Sequence, residues 1–311
     1  MLRKILLRGV APLCAAAALT LGTIGWIGSE RALRPHYYHY QQSLASFPAL
    51  HAEPVRFHSS TGIDLVGRWF RGTNRSTIVL ANGYGDTQDQ MLPIADFLHR
   101  AGFNVLTYNM RARGDSGGDY VTLGVYEQKD LISALDYLCA RSDVDPQRIG
   151  ALGISMGGAV VILAAAQDKR IQAVVDDCGF SDAPSVIAAS FEHFIHLPAF
   201  PFAPVTIWIA DERAGIDVDS VRPMDVIARI SPRPVLIIHG LDDYTVPVAN
   251  SKQNFAHARE PKQLWLVPGA KHGKAHSVAK AEYERRVTAF FDAALQNAGK
   301  RARGQATPDP Q

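Results

Sequence analysis

An excess of charge of one sign, a set of paired cysteines and an internal repeat are all missing from this sequence of 311 residues. The 32 lysines and arginines nearly balance the 30 aspartates and glutamates, so no global field would attract nucleic acid or another polyanion. We therefore expect no nucleic-acid partner. The three cysteines are an odd number without the spacing of a zinc site, which argues against a disulfide framework and against a bound metal.

The N-terminal segment has the length and composition of a membrane span. Residues 9–28 contain no charged side chain and follow the basic residues Arg3, Lys4 and Arg8. As a helix that rises about 1.5 Å per residue, they would cover about 30 Å, the thickness of one hydrocarbon core. We therefore predict that residues 1–35 form a membrane anchor or a signal segment.

The charge around this segment predicts its orientation. Basic residues before the span favour a cytoplasmic N-terminus, which would leave the rest of the chain on the non-cytoplasmic side. Tyr37, Tyr38 and Tyr40 follow the span and would form an aromatic belt at the membrane interface. Secretion after signal cleavage is the alternative, although the small residues at 15–18 would leave a short apolar region before the cleavage site.

The order of strand-like and helix-like segments predicts the fold class. About eight short stretches rich in branched or aromatic residues alternate, after the first two, with helix-like stretches. This alternation is typical of an α/β fold in which helices cover both faces of a mostly parallel sheet. The first two strands resemble an antiparallel hairpin at one edge. We predict one domain over residues 50–298 and a disordered tail over residues 299–311.

One long segment, residues 181–232, interrupts this alternation, and we call it the insertion. It follows the sixth strand, and its centre is rich in aromatic residues and proline. Because it is too long for an ordinary connection, we predict a lid-like or binding element. His193 and His196 lie within it, and no further ligand nearby completes a metal site, so we expect them on its surface.

Residues 153–158, with the sequence GISMGG, have the pattern of a nucleophile elbow. They follow a strand-like segment and open a helix-like one. In an elbow the serine lies at the tip of a sharp turn, so its neighbours must be nearly free of side chains, as Gly153 and Gly157 are. We therefore predict that Ser155 is a nucleophile. The alternative is that the glycines serve only the close packing of strand and helix.

A neutral serine needs a general base, and the base needs an orienting acid. Later strand ends supply both, because one is followed by Asp242 and Asp243 and the next by His272 and His276. The order serine, aspartate, histidine is the order found in α/β hydrolases.

Four segments together resemble the α/β hydrolase superfamily over nearly all of residues 54–294: GISMGG, HGLDDYTVP, PGAKHG and YNMRARGDSGG. The resemblance implies the α/β hydrolase fold with an eight-stranded sheet, and it implies Asp243 as the acid and His272 as the base. Asp242 would then be a turn residue and His276 a surface neighbour.

An oxyanion hole requires two backbone amides that point at the developing charge. Met156, directly after the nucleophile, would supply one amide, and Tyr84, in the loop after the third strand, would supply the other. Members of the superfamily usually carry a histidine-glycine pair in this loop, whereas this sequence has Asn82. Since a backbone amide does the work, the difference is compatible with catalysis.

Other residues near these loops are better explained by structure than by chemistry. Arg111 and Arg113 could steer an anionic substrate, but we expect them to brace neighbouring turns. Asp115 precedes the nucleophile in the chain, so we expect it in a turn. The glycines after the third strand do not complete a dinucleotide-binding fingerprint, because Gln88 occupies the third position. We predict no cofactor.

Three functions remain open. The favoured one is hydrolysis of a carboxylic ester in a small-molecule acyl substrate, lipid-like or otherwise acylated, since the aromatic insertion could form an apolar pocket. A serine peptidase is the second, because GISMGG also resembles the elbow of prolyl-oligopeptidase-like enzymes, although these usually carry a large N-terminal propeller. A membrane-tethered binding protein without turnover is the third. The oligomeric state is not predicted.

Overall fold

The computed structural model describes residues 2–36 and 43–304. In these ranges the strands are β1 (Glu53–His58), β2 (Asp64–Phe70), β3 (Thr77–Ala81), β4 (Asn104–Tyr108), β5 (Ile149–Ile154), β6 (Ile171–Asp177), β7 (Val235–Gly240) and β8 (Lys262–Val267). The α-helices are α1 (Leu2–Leu33), α2 (Leu92–Arg100), α3 (Glu127–Cys139), α4 (Met156–Gln167), α5 (Ala183–Ser190), α6 (Ala199–Ala214), α7 (Pro223–Val226), α8 (Ala249–His257), α9 (Ala275–Val278) and α10 (Lys280–Gly304).

The eight strands form one sheet in the order β1-β2-β4-β3-β5-β6-β7-β8. The first two strands pair antiparallel, β2 also pairs antiparallel with β4, and all other pairs are parallel. Strands β3, β4, β5 and β7 are buried along their whole length, as expected for a parallel sheet covered on both faces. The predicted mostly parallel sheet with a hairpin at one edge is confirmed.

Two apolar clusters, one on each face, hold the helices against the sheet. One cluster contains α3 and α4, and the other contains α2 and α10. Helix α4 is buried on all sides, because its sequence after the elbow is apolar around the whole circumference. The sheet therefore presents the ends of β5, β7 and β8 along one edge, with α4 rising from the end of β5.

The insertion after β6 is mainly helical. It begins with α5, continues in a π-helical turn (Phe191–Ile195), and then forms α6 and α7. On α6 the residues Ala203, Thr206 and Ala210 are buried against the rest of the protein. The long connection is therefore compatible with a compact domain, because most of its backbone hydrogen bonds are made within its own helices.

Helix α1 is long and apolar enough to cross a membrane, by length and composition, from Val10 to Leu33. Most of it is exposed, but its last turns pack on the domain, where Val121 N donates a hydrogen bond of 2.8 Å to the Leu33 carbonyl. Tyr37, Tyr38 and Tyr40, the predicted aromatic belt, lie outside the described residues.

At the other end of the chain, α10 extends past residue 298 to Gly304. The part of the predicted disordered tail from 299 to 304 is therefore helical. Lysine, arginine and alanine favour helix here, and no proline interrupts it. Residues 305–311 lie outside the described residues.

Candidate active site

Ser155 lies on a sharp turn between β5 and α4. Its backbone has φ 58° and ψ −121°, a region that non-glycine residues rarely occupy and that is characteristic of a strained elbow. Its amide donates a hydrogen bond of 2.8 Å to the Asp177 carbonyl of β6, which supports the turn. A Cβ on Gly153 would collide with the Gly157 carbonyl, and one on Gly157 would collide with the Ala81 carbonyl. The glycines therefore serve close packing and expose the serine at the same time.

The structure brings Ser155, His272 and Asp243 together from the ends of three strands. His272 Nε2 lies 2.8 Å from Ser155 Oγ, and His272 Nδ1 lies 2.7 Å from Asp243 Oδ2. Asp243 Oδ1 in turn accepts hydrogen bonds of 2.9 Å from the backbone amides of Thr245 and Val246. One carboxylate oxygen is thus fixed by the backbone while the other faces the imidazole. This arrangement can withdraw a proton from the serine and orient the base that takes it.

A second histidine, which sequence reasoning did not single out, supports the acid. His239 is fully buried on β7, and its Nε2 lies 2.8 Å from the Val246 carbonyl and 3.3 Å from Asp243 Oδ2. Since a carbonyl can only accept, Nε2 carries a proton. Burial raises the pKa of Asp243, but the hydrogen bonds from His239 and His272 outweigh it and lower this pKa to about 2. Asp243 is therefore ionised at neutral pH.

Two carboxyl groups and a thiol lie buried at the end of β6, beside the triad. Burial raises the pKa of Asp176 to about 7 and that of Asp177 to about 6, although the Tyr283 hydroxyl donates a hydrogen bond of 2.9 Å to Asp177 Oδ2. Burial also raises the pKa of the Cys178 thiol. The thiol, Asp243 and His272 place possible metal-ligand atoms within 4.8 Å of one another, but both ring nitrogens of His272 are already hydrogen-bonded.

The loop after β3 is held by side chains that the superfamily pattern does not include. Asn82 is buried, and its Nδ2 donates hydrogen bonds to the carbonyls of Gly83 (3.1 Å) and Asp86 (2.9 Å). Gln90 Oε1 accepts a hydrogen bond of 2.6 Å from Gly83 N. Asn82, which stands where the superfamily usually has histidine, therefore holds the turn that carries Tyr84 through these two hydrogen bonds.

Tyr84 also connects this loop to the N-terminal helix. Its hydroxyl lies 2.9 Å from the carbonyls of both Arg31 and Ala32 at the end of α1. The loop begins beside the first turn of α4, because Gly157 packs against the Ala81 and Asn82 carbonyls. The roles of the Tyr84 and Met156 amides in an oxyanion hole remain predictions.

Two residues near the triad differ in their surroundings. Asp242 is exposed in the turn after β7, and its amide donates to the Ala270 carbonyl, which fits the predicted turn role. His276 was expected at the surface, and this expectation is wrong. Its ring stacks on Phe97 at a centroid distance of 5.6 Å, and its Nε2 lies 3.1 Å from Glu284 Oε1. It packs between α2 and α10, where the Tyr283 ring of α10 also lies against it at a centroid distance of 5.2 Å.

Arg111 has a structural environment. It is buried and makes two hydrogen bonds to the Asp130 carboxylate, with Nε 2.8 Å from Oδ2 and one terminal nitrogen 2.7 Å from Oδ1. This contact joins the loop after β4 to α3, which fits the predicted bracing role. Arg113 is likewise buried, whereas Asp115 is exposed in a turn.

The two histidines of the insertion are exposed, as predicted. The His193 ring stacks on the Tyr244 ring, with centroids 6.4 Å apart and an interplanar angle of 15°. His196 ends the π-helical turn in a left-handed conformation, with φ 57°. Since Tyr244 directly follows Asp243, the insertion contacts the loop that carries the acid.

Comparison with known proteins relates the chain to hydrolytic enzymes. The model of the prolyl oligopeptidase family matches residues 91–298. The YfhR protein of Escherichia coli is 30% identical over 254 residues, which cover 78% of this chain and 82% of that protein. The YqkD protein of Bacillus subtilis is 28% identical over 219 residues, covering 70% of this chain and 71% of that protein.

Solved structures confirm the predicted fold. An esterase from Pyrococcus furiosus superposes with a TM-score of 0.70 at 23% identity, and the match covers 85% of this chain and 100% of the esterase chain. An α/β hydrolase from a Penicillium species superposes with a TM-score of 0.64 at 22% identity, covering 79% of this chain and 100% of the other.

Proposed function

The chain belongs to the prolyl oligopeptidase family within the α/β hydrolases, and from this premise we propose that it cleaves carboxylic esters through an acyl-enzyme on Ser155. The observation that carries the proposal is the continuous hydrogen-bonded series from Ser155 Oγ through His272 to Asp243. Such a series on a strained elbow is the arrangement that turns a neutral hydroxyl into a nucleophile.

The proposed reaction proceeds in two halves. Ser155 Oγ attacks the acyl carbon while His272 Nε2 takes its proton, and the amides of Tyr84 and Met156 stabilise the oxyanion. His272 then gives the proton to the departing alcohol, which leaves the acyl group on Ser155. A water molecule, activated by the same imidazole, releases the acid and restores the enzyme. Asp243 remains ionised throughout, because its pKa is about 2.

An ester is favoured over a peptide by the surroundings of the triad. The insertion contacts the loop after β7 (residues 241–246, the acid loop) through the stacked rings of His193 and Tyr244, and the exposed apolar side chains of Phe194 and Ile195 directly follow His193. An apolar surface of this kind suits an acyl chain better than a polar peptide backbone. A serine peptidase is the second candidate, since the matching family is that of prolyl oligopeptidase.

We also propose that α1 anchors the protein in a membrane with the catalytic domain on the non-cytoplasmic side. The support is an apolar helix of sufficient length, Val10–Leu33, together with the basic residues before it. A reporter fused after Gln311 tests this orientation. A reporter that works only outside the cytoplasm should be active, and one that works only in the cytoplasm should be inactive. Activity of a reporter that works only in the cytoplasm would contradict this orientation.

A fluorophosphonate probe tests the nucleophile. The wild-type protein should be labelled and Ser155→Ala should not, whereas Ser277→Ala, which removes an exposed serine hydroxyl, should be labelled like the wild type. Labelled protein should then hydrolyse 4-nitrophenyl esters faster than prolyl peptide amides. Folded wild-type protein that takes up no label would favour a binding protein, and faster cleavage of peptides would favour the peptidase.

A further inference from the structure

The exposed large apolar side chains of the domain lie on the insertion and on the acid loop. The insertion contributes Phe194, Ile195, Phe200 and Trp208, and the loop after β7 contributes Leu241 and Tyr244. Among residues 43–299, whose side chains the structure describes, Val278 is the one other exposed side chain of this kind. Exposed apolar groups concentrated in this way mark an interaction surface.

On α6 these side chains form a stripe. Pro204 and Trp208, which is 63% exposed, lie four residues apart on the outer face of the helix, and Phe200, which is 80% exposed, precedes them at a kink where the backbone is not helical (φ −94°, ψ 133°). The opposite side of the helix, which includes Ala203 and Thr206, is buried. Residues 193–210 contain no aspartate, glutamate, lysine or arginine. Helix α6 therefore presents an apolar, uncharged face to its surroundings.

Helix α6 packs closely on the end of α1, which is the predicted membrane span. A Cβ on Gly25 would lie only 2.8 Å from Val205 Cγ1 and 2.9 Å from Ile209 Cδ1. Arg213, in the last turn of α6, pairs with Glu30, and its guanidinium lies 4.2 Å from the centre of the Trp26 ring. The two helices thus share one interface.

The length of the span fixes the depth of this interface. An apolar helix needs about 20 residues to cross the hydrocarbon core, and within the candidate span the uncharged stretch 9–28 supplies that number before the charged residues Glu30 and Arg31, so the boundary on the domain side falls near Gly28. Gly28 faces Thr206 of α6, with less than 3 Å between its added Cβ and Thr206 Oγ1. Helix α6 is therefore held at the membrane surface, where exposed tryptophans such as Trp26 and Trp208 are favoured.

The active site is fixed to the same two elements. Tyr84, in the loop after β3, bonds to the Arg31 and Ala32 carbonyls of α1, and Tyr244 of the acid loop stacks on His193 of the insertion. Both loops that flank the triad are thereby held close to the plane in which α6 lies.

We propose that the insertion lies in the surface of the bilayer through its α6 stripe, and that the substrate is the acyl ester of a bilayer lipid taken from that surface. The chemical part rests on the proposed function, whereas the membrane contact does not. Ser155 Oγ adds to the acyl carbon while its proton passes to His272, and the ester C–O bond breaks when the resulting oxyanion collapses, so the lipid alcohol leaves with that proton. Water then releases the fatty acid.

The membrane contact is tested with the full chain in phosphatidylcholine vesicles whose acyl chains carry bromine, a quencher of tryptophan fluorescence. The wild type should be quenched by a larger fraction than Trp208→Phe, because the variant keeps Trp26, Trp69 and Trp265 and lacks the α6 reporter. Equal fractional quenching of the two proteins would overturn the contact.

The substrate is tested with Phe200→Ser combined with Trp208→Ser, and with Val278→Ser as the matched control for an exposed apolar side chain. The double variant should hydrolyse a fluorogenic diacyl lipid in vesicles about tenfold more slowly, while its turnover of soluble 4-nitrophenyl butyrate stays within about twofold. Val278→Ser should match the wild type in both assays. Lipid turnover at the wild-type rate in the double variant, or an equal loss on both esters, would overturn the proposal.

The failure of each proposal has its own signature. Wild-type protein that takes fluorophosphonate and hydrolyses the soluble ester, but leaves the vesicle lipid intact, would refute the lipid substrate and leave the ester hydrolase standing. Wild-type protein that takes no fluorophosphonate would refute the hydrolase and with it the lipid substrate, whereas bromine quenching would still decide the membrane contact.

Discussion

Replacement of Asp243 by asparagine would change one atom and reverse a hydrogen bond. Asp243 Oδ1 accepts from two backbone amides, of Thr245 and Val246, so an asparagine must direct its carbonyl oxygen there. Its NH₂ group then faces His272 Nδ1. The imidazole is forced to accept at Nδ1 and to carry its proton on Nε2, which faces Ser155. In this tautomer the ring cannot act as a base toward the serine.

The expected loss is large because the wrong tautomer is enforced by fixed backbone groups. A comparable change in a serine triad lowers kcat by about 10⁴-fold, which corresponds to about 5.5 kcal/mol of transition-state stabilisation at about 1.4 kcal/mol per factor of ten. The NH₂ group would also face His239, whose Nε2 already carries a proton for the Val246 carbonyl. We therefore expect kcat to fall by about 10³- to 10⁴-fold.

Initial rates on 4-nitrophenyl esters and the rate of fluorophosphonate labelling measure this loss. Asp242→Asn is the matched control, because Asp242 is exposed in the adjacent turn, and its rate should stay within about twofold of wild type. Circular dichroism would verify that both variants are folded. Asp243→Asn with more than a tenth of wild-type activity, or Asp242→Asn with a comparable loss, would refute the assignment.

Three further predictions concern the α1–α6 packing, the buried carboxyl of Asp176 and the loop after β3. Gly25→Leu should destabilise the α1–α6 contact by about 1–3 kcal/mol in thermal unfolding, whereas Gly22→Leu, with no atom within 4 Å of its added Cβ, should not. Because the pKa of Asp176 is raised to about 7, the folded state holds a proton that the unfolded state releases, so Asp176 should contribute about 1.4 kcal/mol per pH unit to a fall in wild-type stability between pH 4 and pH 7, and Asp177, with a pKa of about 6, should add to this slope below pH 6. Asp176→Asn should flatten that slope in urea unfolding, and an unchanged slope would contradict the assignment. Asn82→Ala should lower kcat about tenfold with little change in KM, and an unaltered kcat would show that the loop holds its shape without those two hydrogen bonds.

The sheet and the approximate positions of the triad could be predicted because their signals are local. Alternating strand and helix patterns determine which residues follow which strand, and parallel strands bring those ends to one edge. Ser155 was indicated by the glycines around it, and Asp243 and His272 by their positions after later strands and by the resemblance to a known superfamily.

The contacts that escaped prediction depend on packing between distant segments. His239 looks like an ordinary strand residue, and only the turn of the following loop brings the Val246 carbonyl and Asp243 to its ring. His276 is predicted at the surface because its sequence position does not reveal its partners, Glu284 on the next helix and Phe97 on a distant one, which only folding brings to its ring. The pairing of α1 with α6 could not be predicted for the same reason, since both helices are apolar and neither sequence indicates which segment the helix packs against.

The hydrogen bonds from Tyr84 to the end of α1 bear on how the protein should be prepared for study. The small residues at 15–18, where a signal peptidase would act, precede Gly25, so a secreted form would keep the turns that hold the loop after β3. A soluble fragment cut at the domain boundary near residue 50 would lose them. Fragments for crystallisation or kinetics should therefore begin before Gly25, because in shorter ones the loop after β3 would lack its contact with α1.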